Sequence, residues 1–383
     1  MAQFDAVILG AGMAGLGAAL PFAEDGKKVL IIDRKGITGQ SSPAAGGILD
    51  PLLELSPESP LLDLTLKAFE NYSRVLSRLG IRLTNDIRYA KTGMLYLALD
   101  RNETEGLQDK YRWQKKTPIP VRWLNAKQAE GIQSGISSSV KAALFYPTIA
   151  KLNPALLVQY LRQRLKRLKV QFRTRAAAAC LIIEAGGRVA GVRVDGVTFQ
   201  SGCVINAAGV WAGINRDDHL RMPVQPIRGQ IIVMRGKLNL RTILHSMDGG
   251  YIVPWGDNEF LLGSTVEEAG YRAKVTAEGL DGIMRRCRRI FPAVSEMKQK
   301  TVWAGLRPRS ADRMPIMGED SEVRGLFHLC GYYRNGILIS FLCGQELYRM
   351  MQNAEVPTWL VPFSPARFAS RRTSSNKLVP AAQ

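Results

Sequence analysis

The stretch "DAVILGAGMAGLGAALPFAEDGKKVLIID", residues 5 to 33, decides the fold. An apolar run leads into a glycine turn, a small-residue helical pattern follows, and a second apolar run ends in an acid. Strand, turn, helix, strand is one βαβ unit. Gly10, Gly12 and Gly15 stand at the GxGxxG spacing, with Met13 and Ala14 between the last two as further expected cofactor contacts, and Asp33 follows about twenty residues on. The glycines give a tight turn, backbone approach to a pyrophosphate, and close helix-to-strand packing, while the helix N-terminus supplies a positive dipole. Asp33, with Arg34 beside it, is placed to meet an adenosine ribose. No arginine cluster built for a 2′-phosphate accompanies it, which argues against NADP.

Working outward, 383 residues with 46% hydrophobic content suffice for about two to three domains with real cores, which excludes a disordered chain. The formal charge of +19 attracts polyanions. Its distribution points elsewhere: "YLRQRLKRLK" (160–169) and "RRCRR" (285–289) read as solvated helix faces, and "SPARFASRRTSSNK" (364–377) as a basic tail without acids. We therefore expect no specific nucleic acid partner and at most a weak membrane-surface contact. Cys180, Cys203, Cys287, Cys330 and Cys343 form no CxxC pair and read as buried thiols, with no metal site. The apolar N-terminal stretch is broken by glycines and has no basic leader or cleavage site, so the expected location is cytoplasmic.

Further along, residues 61–80 are helical in pattern, "GMLYLAL" (93–99) reads as a strand, and "NPALLVQYLRQRLKRL" (153–168) as a helix capped by Asn153 with Pro154 at its first position. "VQFRT" and "RVAGVRV" read as strands, and "CVINAAGVWAG" (203–213) as a buried strand running into small residues. From 224 to 266 strands follow one another without helices, which suggests an antiparallel sheet. A helix near 276–290 follows, and 325–351 is a strand, a glycine-rich turn and a closing helix. The expected fold is α/β (α+β overall): a dinucleotide-binding domain of discontinuous segments (1–85, 145–215 and 302–360), a substrate domain on a large antiparallel sheet (86–144 and 216–301), and a tail from 361 to 383. With one GxGxxG motif, one dinucleotide is expected, serving the oxidation of a small molecule.

Seven pieces in order then carry a resemblance across nearly the whole chain: "GAGMAG" with Asp33, "GQSSPAAGGIL" (39–49), "VINAAGVWA" (204–212), "PIRGQ" (226–230), "YIVPW" (251–255), "WAGLRP" (303–308) and "GYYRNGIL" (331–338). The sequence resembles the D-amino acid oxidase family of FAD-dependent oxidoreductases, most closely its glycine oxidase branch. The resemblance implies a Rossmann-like fold and FAD, with Ser41, Ser42, Gly46, Gly47 and Ile48 passing beside the cofactor and Ala176 touching it through its main chain. Tyr333, Arg334, Asn335, Gly336, Ile337 and Leu338 would wrap the flavin end, where a helix N-terminus favours negative charge on the reduced ring. It also implies that Arg307 binds the substrate carboxylate, that Arg334 is a second substrate contact, and that the Tyr251 hydroxyl closes the pocket, with the active site between the domains.

Two departures bear on the substrate. Arg309 stands where glycine oxidase relatives usually carry a small residue, and faces either solvent or a second acidic group; Gly249 stands where some relatives carry a histidine. Arg313 reads as structural. His219, His245 and His328 fall in no recognisable acid–base constellation, which suits hydride transfer from a neutral amine better than hydrolysis. The expected reaction is oxidation of the C–N bond of a small amino acid or related amine, of the glycine, sarcosine or D-amino acid type, with oxygen or a quinone as electron acceptor. An amino-acid or 2-hydroxy-acid dehydrogenase feeding a quinone, and a non-catalytic flavoprotein binding an acidic partner, remain alternatives, and a homo-oligomer stays open.

Overall fold

The computed structural model describes residues 2–34, 41–52, 54–215 and 217–369. The chain divides into two compact units, one of residues 1–39, 161–225 and 307–383, the other of 40–160 and 226–306.

The first unit is built on a six-stranded sheet in the order Gln171–Thr174, Val29–Asp33, Ala6–Leu9, Val204–Asn206, Leu326–Cys330, Ile316–Glu319. All neighbours are parallel except the last pair. The helix Met13–Glu24 follows the first parallel strand and packs on the closing helix Gly336–Asn353. Their backbones touch: a methyl group at Gly17 would stand 2.5 Å from the Ser340 carbonyl oxygen, and one at Gly344 2.2 Å from that of Gly17. A second, four-stranded sheet holds Cys180–Ile183, Val189–Val194 and Val197–Gln200 as an antiparallel meander, with Ala2–Gln3 parallel to its far strand. Val7, Leu9, Leu30 and Ile32 share a core with Val192, Val204 and Leu326.

The second unit is dominated by an eight-stranded sheet in the order Lys298–Ser310, Val224–Arg235, Glu259–Gly263, Tyr251–Gly256, Ile243–Ser246, Met94–Ala98, Ala142–Tyr146, Arg122–Asn125. Ile243–Ser246 and Met94–Ala98 run parallel, and the other registered pairs are antiparallel. Both faces are covered. Leu95 and Leu97 join a core with Ile283 and Cys287 of the helix Ala277–Ile290, whereas Met94, Tyr96 and Ala98 face Leu62, Leu66 and Phe69 of the helix Leu61–Arg78. Period-two alternation between two apolar layers is why "MLYLA" carries no polar residue.

Several expectations need correction. The compact units are bounded otherwise than the expected domains: 40–85, 145–160 and 302–306 fall in the second unit, where the helix Leu61–Arg78 lays its apolar stripe on the large sheet, and 216–225 in the first. Residues 361–369, expected to lie in a tail, are packed: Phe363 and Phe368 are buried beside Leu360, and Arg367 binds Asp312 at 2.7 Å and the Phe363 carbonyl at 2.6 Å. Residues 370–383 lie outside the described residues. Cys180 is exposed, on the edge strand of the meander, while the other four cysteines are buried. Burial pushes the thiols of Cys203, Cys287 and Cys343 up to about 12, so they stay protonated and unreactive. The helix Arg101–Gln114 gave no sequence signal because only Leu107 and Gln114 on it are buried. No described helix is long and apolar enough to cross a membrane.

Candidate active site

In the first unit the glycine turn sits at the carboxyl ends of the parallel strands, where sheets of this kind bind ligands. Gly10 has φ +117°, a conformation that penalises any side chain, and a methyl group there would stand 2.3 Å from the Ala207 carbonyl oxygen. A methyl at Gly15 would stand 1.9 Å from the Gly10 carbonyl oxygen. The following helix has Gly12 at its N-cap, with no side chain capping it and no acid in its first turn, so Met13 and Ala14 open a helix end that favours an anion. Asp33 closes the turn from the neighbouring strand, its carboxylate accepting the Ala11 N–H at 2.8 Å. Ala176 donates its N–H to the Asp33 carbonyl at 3.2 Å, so the main chain predicted to touch the cofactor lies beside the predicted ribose acid. The Arg34 guanidinium lies 5.0 Å from the centre of the Trp211 ring. These residues fit a dinucleotide: backbone without side chains, an uncapped helix, and a carboxylate at the strand end.

Arg307 and Arg309 occupy the end of the strand Lys298–Ser310, both half-buried, with Pro308 between them. The Tyr333 N–H donates to the Pro308 carbonyl at 2.8 Å, and Arg309 bridges to Tyr332, which sets this strand end against the turn that starts the closing helix. Tyr333 takes φ +47° and stacks under the Arg334 guanidinium at 5.4 Å; Arg334 itself is exposed. Asn335 stands at the N-cap position, without a side-chain capping bond, of the helix that Gly336, Ile337 and Leu338 begin. The Arg309 guanidinium lies 2.6 Å from the Gln225 side-chain amide, whose oxygen accepts from it when the amide is turned to satisfy both groups. Arg313 is exposed at φ +64° in the turn after the strand.

In the second unit Ser41 donates to the Leu306 carbonyl, one residue before Arg307 in sequence, and the Trp303 indole donates to the Ala44 carbonyl at 3.1 Å. Ser42 lies next in the same segment. Gly47 takes φ +74° and its carbonyl accepts the Leu152 N–H at 2.9 Å, after which Ile48 opens the short strand Ile48–Leu49 and Gly46 precedes the bend. The Tyr251 phenol ends beside Gly46, where a methyl group would stand 2.7 Å from its hydroxyl. The loop leading to Tyr251 is pinned by Asp248, which accepts from Ser246 Oγ at 2.5 Å and from Arg289 at 2.6 Å. Burial opposes the charge on Asp248, but these bonds and the Gly250 N–H hold its carboxyl below the usual range.

Sequence reasoning missed the ring stacked on Tyr251. His245 lies on the adjacent strand, 5.9 Å away between ring centres and 23° from parallel, with Tyr96 edge-on to its other side at 4.9 Å. Burial pushes the imidazole pKa down from 6.5 to about 4, outweighing the bond to the Ser246 carbonyl at 2.9 Å and the nearby Asp248 carboxylate, while Lys110 adds to the depression. The unfolded chain therefore takes up a proton below 6.5 that the native state refuses until about 4. Stability is expected to fall by about 3 kcal/mol as pH drops through that window, with a slope of about 1.4 kcal/mol for each step of one in pH. Replacing His245 with phenylalanine should flatten that part of the curve in urea titrations at several pH values; an unchanged slope would assign it to other groups. His328 is also buried, with Nε2 2.9 Å from Asp320 and Nδ1 accepting from Asn206 at 3.2 Å. Enclosed in the parallel sheet, this pair serves the core, and His219, 4.0 Å from Glu322, is half-exposed.

The parallel sheet and its glycine cradle define a dinucleotide-cofactor protein of Rossmann type. The family model for FAD dependent oxidoreductases (DAO) matches residues 5–350, and the chain belongs to that family. It is similar to the glycine oxidase of Geobacillus kaustophilus (strain HTA426), 28% identical over 375 residues that cover 95% of this chain and 97% of that protein. The crystal structure of glycine oxidase from Geobacillus kaustophilus superposes with a TM-score of 0.88 at 26% identity, covering 96% of this chain and 99% of that one. Iminodiacetate oxidase from Chelativorans sp. BNC1 gives 0.84 at 25% identity, covering 94% and 98%. The protein is an FAD-dependent oxidoreductase.

Proposed function

We propose that this enzyme oxidises the C–N bond of a small amino acid of the glycine, sarcosine or D-amino acid type, with oxygen as the electron acceptor. The observation that carries the reading is Arg307, half-buried at a strand end locked to the Tyr333 turn, where a planar guanidinium can grip a carboxylate bidentately. The related oxidases named above act on glycine and iminodiacetate, both amines that bear carboxylates.

FAD, when bound, would supply the two-electron acceptor for a hydride from the substrate Cα. The cradle of Gly10, Gly12, Gly15 and Asp33 would hold its pyrophosphate and ribose, and the helix end at Asn335 would favour negative charge on its ring. Arg307 would fix the substrate carboxylate, and the Tyr251 hydroxyl would be a further substrate contact. A held carboxylate fixes the orientation of the Cα–H bond, which supplies rate through positioning rather than proton transfer. Neither residue needs to change protonation state. The amine must arrive neutral, and no nearby side chain has to act as a strong base.

Oxygen uptake with glycine, sarcosine, D-alanine, D-glutamate and iminodiacetate is the test. Uptake matched by peroxide and by released ammonia or amine supports an oxidase. Turnover only with a soluble quinone reassigns the acceptor, and activity confined to iminodiacetate or D-glutamate would make Arg309 a second carboxylate anchor.

A further inference from the structure

The large sheet places four residues in one cross-strand row: Tyr96 is registered with His245, His245 with Tyr251, and Tyr251 with Gly263. Directly opposed residues on neighbouring strands share a face and touch. On one side of Tyr251 stands the His245 ring, stacked on it and backed by Tyr96. On the other side Gly263 offers no side chain, and the phenol leans across the gap. A methyl group at Gly263 would stand 2.3 Å from both Cζ and the hydroxyl oxygen of Tyr251. Gly46 bounds the far end of the same slot, with its absent methyl 2.7 Å from that hydroxyl. The imidazole lies behind the phenol and the two glycines leave room in front, so the row bounds the space open to the hydroxyl on both sides.

We propose that Gly263 is a specificity-determining positioning residue: by carrying no side chain opposite Tyr251, it sets where the Tyr251 hydroxyl stands and thereby how a small carboxylate substrate is held. This rests on the reading of Tyr251 as a substrate contact given above. A ring covering a glycine across two strands also protects the sheet, so the test must separate placement of the hydroxyl from stability.

The experiment is a double-mutant cycle on the flavin-loaded enzyme, with KM, kcat and Tm measured for sarcosine and glycine in wild type, Tyr251→Phe, Gly263→Ala and the pair. Tyr251→Phe removes only the hydroxyl. Gly263→Ala is expected to raise KM by about tenfold to a hundredfold, since displacement of an orienting group by about 1 Å has effects of that size, with kcat changed far less. Once the hydroxyl has been displaced, deleting it should cost little more, so the double variant should match Gly263→Ala. An unchanged KM in Gly263→Ala, or costs that simply multiply, overturns the inference while leaving Tyr251 as a contact. An unchanged KM in Tyr251→Phe instead overturns the reading of Tyr251 and the inference with it. If Gly263→Ala lowers Tm below the assay temperature, His245→Val takes its place in the cycle: it removes the ring behind Tyr251, keeps the glycine, and carries the same expectation.

Discussion

Arg307→Ala is expected to raise KM for any carboxylate substrate by about a hundredfold or more while the protein still purifies yellow. The magnitude follows from the interaction lost: removing one partner of a desolvated, bidentate charge pair costs about 2 to 5 kcal/mol, and each 1.4 kcal/mol is about tenfold. Arg307 is half-buried on a strand whose end is fixed by the Tyr333 N–H to Pro308 bond, which holds its Cα in one place. Arg309 already leans on Gln225. Lysine at 307 should recover part of the loss through its charge but not the two-pronged geometry. Steady-state kinetics of the alanine and lysine variants, with flavin content measured alongside, checks this. A KM within about twofold of wild type would remove Arg307 from the substrate site.

Gly15→Ala should act on the cofactor instead. The added methyl, on the helix Met13–Glu24, would stand 1.9 Å from the Gly10 carbonyl oxygen of the turn, and that oxygen is backbone, so no flexible side chain can yield. Overpacking of this kind costs about 1 to 3 kcal/mol where the surroundings can shift, and here the shift falls on Gly10 and Gly12, the residues offered to the pyrophosphate. FAD affinity is expected to fall by about a hundredfold, giving a largely colourless protein with a lower Tm that excess FAD partly restores. Titration of FAD into apoprotein gives the number. Full flavin occupancy after dialysis would show that the pyrophosphate lies elsewhere.

Much of this was legible in the sequence because it is local. The βαβ unit announces itself through hydrophobic runs, glycine spacing and a terminal acid within 29 residues, 5 to 33. The Asn153 cap also appears where expected, its side chain accepting the Ala155 N–H at 3.0 Å. What stayed hidden depends on partners distant in the chain. The row of Tyr96, His245, Tyr251 and Gly263 exists only through strand register, including the parallel pairing of Ile243–Ser246 with Met94–Ala98. His245 gave no signal because its neighbours are rings rather than acids. The helix Leu61–Arg78 was recognised, but the sheet it would cover was not, since an apolar stripe shows that a helix packs without showing on what. Cys180 illustrates the converse: its strand looks apolar, yet it lies at a sheet edge where one flank meets solvent.

The central claim is an amine oxidation guided by a carboxylate anchor, and anaerobic reduction of the bound flavin tests it most directly. Glycine and sarcosine should be compared with methylamine and dimethylamine, which present the same nitrogen without the carboxylate, and with 2-hydroxy acids. The yellow absorbance is expected to bleach with one of the amino acids, to persist with the simple amines and hydroxy acids, and to return when air is admitted. Equal bleaching by amines that lack a carboxylate, or no bleaching by any amino acid, would contradict it.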